Sequence, residues 1–314
     1  MRAAILFIPF VYLVSAEFGA DFNHWITKTY GEGAKRRLER RDLPGGSFGG
    51  KSSGNESTTV RNEPVVFVHG VSSRAGEMMQ QAANYFKKNG YGDGELYATT
   101  YGNGGNADKT SWMKYHMQCS SVKQVRTMIV AAHKYTGRKV DLIAFSLGVP
   151  IARKAVLGGR CVDTHQNLGK PLTHVVDTFV GVAGPNHGVA PVIGNLPVPG
   201  CALLPFMPIC NPKDGLFSGV CPITSEFLTD INGRHKYEGA HVYTIGSNSD
   251  EIVGSSVCGQ ITTRIPHQNG EKRYGKLRHN QVIFHPDRPI RTHFQVFRSS
   301  YEVLLRMVHD HRVV

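Results

Sequence analysis

Residues 140–157 read VDLIAFSLGVPIARKAVL, and the fold turns on how this stretch divides. Val140 to Phe145 is a short apolar run, suited to a strand buried on both faces. Val149 to Leu157 is helical, with Pro150 tolerable in the first turn and Gly158-Gly159 as the stop. Ala144-Phe145-Ser146-Leu147-Gly148 lies at the junction. It is the G-x-S-x-G nucleophile-elbow pattern with Ala in place of the first Gly. The serine of such an elbow occupies a strained turn. Residues two before and two after it must be small, so that strand and helix can approach. Ser146 Oγ then stands clear of the sheet, and the helix N-terminus beneath it favours developing negative charge. Five residues alone are a weak signal; their place between strand and helix gives them weight.

The same alternation extends in both directions. Upstream, Pro64 to Val68 reads as a buried strand, Ala75 to Asn89 as a helix stopped by Gly90, and Glu95 to Tyr101 as β-rich. Val122, Val125, Ile129 and Ala132 share one helical face, and Gly137 ends that helix. Downstream come a strand at Val175–Ala183, an irregular stretch over 184–222, a short helix near Thr224–Ile231 and a strand at Ala240–Ile245. A weaker strand lies near Lys272–Leu277. Asp287 is a candidate N-cap and Pro289 suits a first turn. Ile290, Phe294, Phe297, Tyr301, Leu304 and Val308 then predict one long closing helix that contains His293. Strand and helix in alternation mean a mostly parallel sheet with helices on both faces, an α/β fold, in one domain over 63–314.

The N-terminus addresses the chain. In MRAAILFIPFVYLVSA, Arg2 precedes an apolar stretch from Ala3 to Val14, and Val14 and Ala16 supply the small-residue cleavage pattern. Residues 1–16 therefore read as a cleaved secretory signal peptide, too short for a membrane span. Six cysteines, an even number, allow three disulfides in an oxidising compartment, and spacing does not choose among the fifteen pairings. Asn55-Glu56-Ser57 is a glycosylation sequon. Residues 17–62 combine the basic run KRRLERR (35–41) with the Gly- and Ser-rich GGSFGGKSSG (45–54), and read as an arm or flexible linker. Cleavage at Arg40-Arg41 would make 17–41 a pro-segment. Lysine and arginine number 36 against 24 acids, a net +12. That charge is spread along the chain without a recognition motif, so nucleic acid is not an expected partner.

VVFVHGV (65–71), the A-x-S-x-G elbow and SNSDEIVG (247–254) resemble the class 2 secreted lipases, which have the α/β-hydrolase fold. GDGELYATTYG, KVDLIAFSLGVPIARKAVLGG and VDTFVGVAGPNHG are similar still more closely to the lipase-related secreted proteins of nematodes within that class. The resemblance covers about 64–310. It implies a secreted serine carboxylic-ester hydrolase, a triacylglycerol lipase first of all, acting on lipid or another ester, at a lipid–water interface where the substrate is insoluble. A short-chain esterase, a polyester depolymerase and a non-catalytic lipid-binding protein on the same fold are the alternatives. No metal or organic cofactor is expected.

In that fold the catalytic groups follow the order serine, acid, histidine. Asp250, in the loop after Ala240–Ile245, matches the family's acid and is preferred to its neighbour Glu251. The loop after Ala183, GPNH, offers no carboxylate. Fifteen histidines make chance matches easy. His267, His279, His285 and His293 all follow Asp250. TTRIPHQNGEKRYGKLRH (262–279) resembles the family's last turn and strand, so His279 is the expected base. His293 is excluded if it sits inside a helix, and His285 takes the role if the last strand runs through Val282–Phe284. The backbone N–H groups of Val71 and Leu147 are the expected oxyanion hole, and His69 is expected to be structural. The insert 189–222 holds seven prolines, Cys201, Cys210, Cys221 and the apolar Ile193, Leu196, Val198, Leu203, Leu204, Phe206, Met207 and Ile209. It either forms a lid that binds acyl chains or packs on the core as a stapled loop.

Overall fold

The computed structural model of this 314-residue chain describes residues 17–52, 60–105, 114–190, 192–193, 196–197, 201, 206–217, 221–279, 281–285, 288–293 and 295–314. The expected signal peptide and Asn55 lie outside the described residues.

Seven strands form the central sheet: β1 (Ser47–Gly49), β2 (Val65–Val68), β3 (Leu96–Thr99), β4 (Val140–Phe145), β5 (Val176–Val182), β6 (His241–Ser247) and β7 (Gly270–Tyr274), in the order β1-β3-β2-β4-β5-β6-β7. Every neighbouring pair is parallel except β1–β3. Side chains of a strand alternate between faces. Val66, Val68, Leu142 and Ala144 therefore enter one apolar cluster, and Val65, Phe67, Ile143 and Phe145 enter the other. The first cluster is closed by α1 (Ala20–Glu39), α3 (Cys119–Thr136), α4 (Gly148–Leu157) and α5 (Glu226–Asn232). The second is closed by α2 (Gln80–Lys88), the turn Gln295–Arg298 and α6 (Tyr301–Asp310). Helices on both faces of a mostly parallel sheet are the α/β-hydrolase architecture expected from the sequence.

Two expectations fail. Residues 17–52 are no flexible arm. Phe18, Phe22, Ile26 and Leu38 are buried along α1, and the Phe22 ring lies 5.0 Å from that of Tyr97 in β3. Gly49 in β1 has φ 120°, and a Cβ there would stand 2.1 Å from Leu96 O. The glycines read as linker composition are what lets β1 lie so close to β3. Arg40 donates to Thr100 O and Gly102 O, which ties the Arg40-Arg41 dipeptide to the sheet.

The closing helix is also shorter than predicted. Gln281–His285 and Arg288–His293 form an antiparallel pair, and helix begins only at Gln295. His285 and His293 thus stand on strands. The three-and-four spacing from Phe297 to Val308 is a real helical stripe, and extending it backwards caught Ile290 by coincidence.

The six cysteines form three disulfides, Cys119–Cys161, Cys201–Cys210 and Cys221–Cys258. One bond lies within the insert and another ties its end to the segment after β6. Ile209, Cys210 and Leu216 of the insert join the first apolar cluster, whereas Phe206 is exposed. Among the described residues, no helix is long and apolar enough to cross a membrane.

Candidate active site

Ser146 follows β4 at the C-terminal edge of the sheet, with φ 52°. That left-handed conformation is strained for a residue with a Cβ. It persists because both sides are held: Ser146 N–H donates to Val182 O (2.8 Å), and Val149 N–H donates to Ser146 O (3.0 Å). Small size at position 148 is compulsory. A Cβ on Gly148 would lie 2.3 Å from His69 O and 2.8 Å from Val68 O. Ala144, two residues before the serine, is fully buried in the first apolar cluster.

The loops that carry Asp250 and His279 lie side by side. Asn248 N–H donates to Tyr274 O (2.8 Å), Ser249 Oγ to Gly275 O (2.9 Å), and Ser247 Oγ to Leu277 O. The loop after β6 is thereby fastened to the loop after β7. Asp250 Oδ1 accepts from the N–H groups of Ile252 and Val253, each at 3.0 Å, which fixes the carboxylate and turns Oδ2 towards His279. His279 Nδ1 is 2.8 Å from Asp250 Oδ2, and His279 Nε2 is 3.1 Å from Ser146 Oγ. A carboxylate only accepts, so the Nδ1 proton belongs to this bond and Nε2 is left to accept from the serine hydroxyl. Glu251, the neighbour of Asp250, accepts the backbone N–H of His279 (3.0 Å) and so helps to hold the His279 loop. All three side chains are buried, and the Phe145 ring packs 5.0 Å from the imidazole of His279.

Beyond β2, the segment His69-Gly70-Val71 passes beside the serine. His69 Nδ1 bonds Gly70 O (2.7 Å) and Nε2 accepts from Tyr101 N–H (3.1 Å), while Tyr101 Oη donates to His69 O (2.9 Å). The rings of His69 and Tyr101 stack at 4.2 Å. Burial pushes the His69 pKa down to about 4, so the imidazole stays neutral and keeps one donor and one acceptor for these bonds. His69 holds the segment that presents Val71, and Leu147 N–H opens α4 on the other side of Ser146.

One group here was not singled out in the sequence. Arg153 on α4 is fully buried. Its guanidinium bonds Glu238 Oε1 from Nε (3.0 Å) and Nη2 (2.9 Å), Asn186 Oδ1 (3.2 Å), Asn232 Oδ1 (2.9 Å) and Ile231 O (2.8 Å). Asn186 in turn donates to Thr263 O (2.9 Å). The arginine thus ties the elbow helix to the loop after β5 and to α5. Within RKAV it looks like a solvated helix charge, and only its distant partners distinguish it. Arg153→Ala should lower the unfolding free energy by about 3–5 kcal/mol, because Glu238 would remain buried and unpaired. Urea denaturation measures this, and a loss under about 1 kcal/mol would refute the account.

A family model described as "Lipase (class 2)" matches residues 62–289. Comparison with curated proteins gave no match. Among solved structures, the mature form of Bacillus licheniformis lipase BlEst2 is similar, with a TM-score of 0.50 at 15% identity over 83% of this chain and 97% of that one. A monoacylglycerol lipase of Paleococcus ferrophilus gives 0.45 at 12% identity over 80% and 97% of the two chains. Aspergillus fumigatus lipase B gives 0.44 at 16% identity over 74% and 48%. At such identities the first of these speaks for the fold alone.

Proposed function

The chain belongs to the class 2 lipase family, and on that ground we propose that it is a secreted triacylglycerol lipase that works through an acyl-enzyme. Membership supports a lipolytic carboxylic-ester hydrolase. The observation that carries the mechanism is the pair of hydrogen bonds Ser146–His279 (3.1 Å) and His279–Asp250 (2.8 Å) at the C-terminal edge of the sheet.

Ser146 Oγ attacks the ester carbonyl while His279 Nε2 takes its proton. Asp250 holds the imidazole in the right tautomer and stabilises its positive charge. The oxyanion of the tetrahedral intermediate accepts from the N–H groups of Val71 and Leu147, the latter at the positive end of α4. The C–O bond to the alcohol breaks, and His279 gives the leaving oxygen its proton. Water then attacks the acyl-serine with His279 again as base, releasing the carboxylic acid and restoring Ser146.

Secretion through cleavage after Ala16 agrees with three disulfides, a feature of oxidising compartments. Exposed Phe206, Ile223 and Ile252 suit contact with a lipid–water interface. Ile252 immediately follows the acid loop residues Asp250 and Glu251. The resemblance of GDGELYATTYG and VDTFVGVAGPNHG to the secreted lipase-related proteins of nematodes supports the same reading.

Substrate profiling decides among the readings. We expect turnover of emulsified long-chain triglyceride, hydrolysis of p-nitrophenyl esters that extends to long acyl chains, and labelling by a fluorophosphonate. Cleavage of short soluble esters only would replace the lipase by an esterase or polyester depolymerase. Absence of both turnover and labelling would leave a lipid-binding protein on a hydrolase fold.

A further inference from the structure

In a parallel sheet the strands all begin at one edge, and here that edge is lined by metal-ligating side chains. Glu63 precedes β2, Asp141 is the second residue of β4, Asp177 the second of β5, and His241 the first of β6. His311, which caps α6, joins them: its backbone O accepts from Tyr243 Oη at 2.6 Å. One ligand atom each from Asp177, His241 and His311 lies within 4.8 Å of the other two, and the same holds for Glu63, Asp141 and Asp177. Asp177 belongs to both sets. His311 Nε2 is 2.9 Å from Asp177 Oδ2, and the imidazoles of His241 and His311 stack at 4.0 Å. Glu63, Asp141, Asp177 and His311 line a cavity of about 250 Å³.

The cluster is rich in carboxylates. Lys139 Nζ stands 3.2 Å from Asp177 Oδ1. Asp141 is 1% exposed and accepts from Thr178 N–H (3.0 Å), and among the described residues no lysine or arginine pairs with it. A buried carboxylate without a cation is costly, and an ion that bonds it directly removes that cost.

We propose that this edge of the sheet is a binding site for one divalent cation of zinc type, held by Asp177, His241 and His311, with Glu63 and Asp141 as the neighbouring carboxylates. The donor set decides the class of ion. Two imidazoles with carboxylates suit zinc and its transition-metal neighbours, whereas calcium and magnesium prefer oxygen alone. Donors around a tetrahedral zinc stand roughly 3.4 Å apart, so the cluster closes by about 1 Å on binding. His241 is half-buried and His311 is exposed, which leaves both room to move that far. The site stands apart from the ester chemistry: Ser146 comes five positions after Asp141, about 17 Å along the strand. Its role is to clamp the end of α6 to the sheet. No metal motif announces it in the sequence, because its members are scattered from position 63 to position 311.

The test is titration of the chelator-treated full-length secreted protein with zinc chloride, followed by calorimetry and thermal melting. We expect one zinc per chain and a raised Tm. The double variant His241→Ala/His311→Ala should bind zinc at least about 100-fold more weakly and lose the rise in Tm, while keeping its ester turnover in chelator. His311→Ala alone, at an exposed cap residue, should lose affinity in the same direction and stands in if the double variant fails to fold. No zinc binding by the wild type overturns the proposal. So does binding that both variants retain, which would put the ion on other histidines. Calcium binding that matches zinc in affinity would overturn the imidazole ligand set.

Discussion

Ser146→Ala leaves the chain folded, abolishes fluorophosphonate labelling and lowers kcat/KM for ester cleavage by about four to six orders of magnitude. Each decade is about 1.4 kcal/mol, so roughly 6–8 kcal/mol of transition-state stabilisation is at stake. Among the described residues, His279 Nε2 makes its hydrogen bond to Ser146 Oγ. The fold is expected to survive, because the elbow is held by backbone groups: Ser146 N–H to Val182 O and Val149 N–H to Ser146 O remain in the variant. Alanine at φ 52° carries the same kind of strain as the serine it replaces. Circular dichroism and thermal melting report the fold, and labelling with turnover reports the chemistry. A folded Ser146→Ala protein within tenfold of wild-type turnover would sink the mechanism.

The second large effect belongs to the base. His279→Ala should fall to nearly the same residual rate as Ser146→Ala, because the serine hydroxyl then has no group to take its proton. Three features confine that role to position 279. The loop after β7 is fastened to the loop after β6, Asp250 Oδ2 is turned towards Nδ1, and Nε2 reaches Ser146 Oγ. The substitution leaves the backbone bond from His279 N–H to Glu251 in place, so the loop keeps its course. His293→Ala is the control. It lies on the strand Arg288–His293, fourteen residues further along, and should retain activity within about threefold. Assays of both variants on one p-nitrophenyl ester settle the matter. An active His279→Ala beside a dead His293→Ala would move the base to the hairpin.

Much of this was legible in the chain itself, and the physical reason is locality. The short apolar runs of β2, β4 and β5 and the glycines and serines at helix ends are decided within a few residues, so their boundaries could be read directly. The A-x-S-x-G elbow is equally local: Gly148 is required by atoms of β2, but its smallness shows in five letters. The order of serine, acid and histidine came from the resemblance to the class 2 lipases, whose pattern Asp250 and His279 match. What could not be read was whatever depends on partners distant in sequence. Residues 17–52 looked like a linker because glycine and basic charge were counted by composition, whereas α1 and β1 exist through contacts with β3 and α3. Periodicity could not separate the strand Arg288–His293 from helix, since Ile290 fits the three-and-four spacing by chance and pairing with Gln281–His285 decides. Arg153 and Glu238 are ordinary charges until the fold closes over both. The pairing of the six cysteines, one of fifteen possibilities, was likewise decided only when the insert met the core. A sequence fixes what neighbours along the chain can settle by sterics and hydrogen bonding; the fold alone chooses among contacts that cost loop closure before they return any energy.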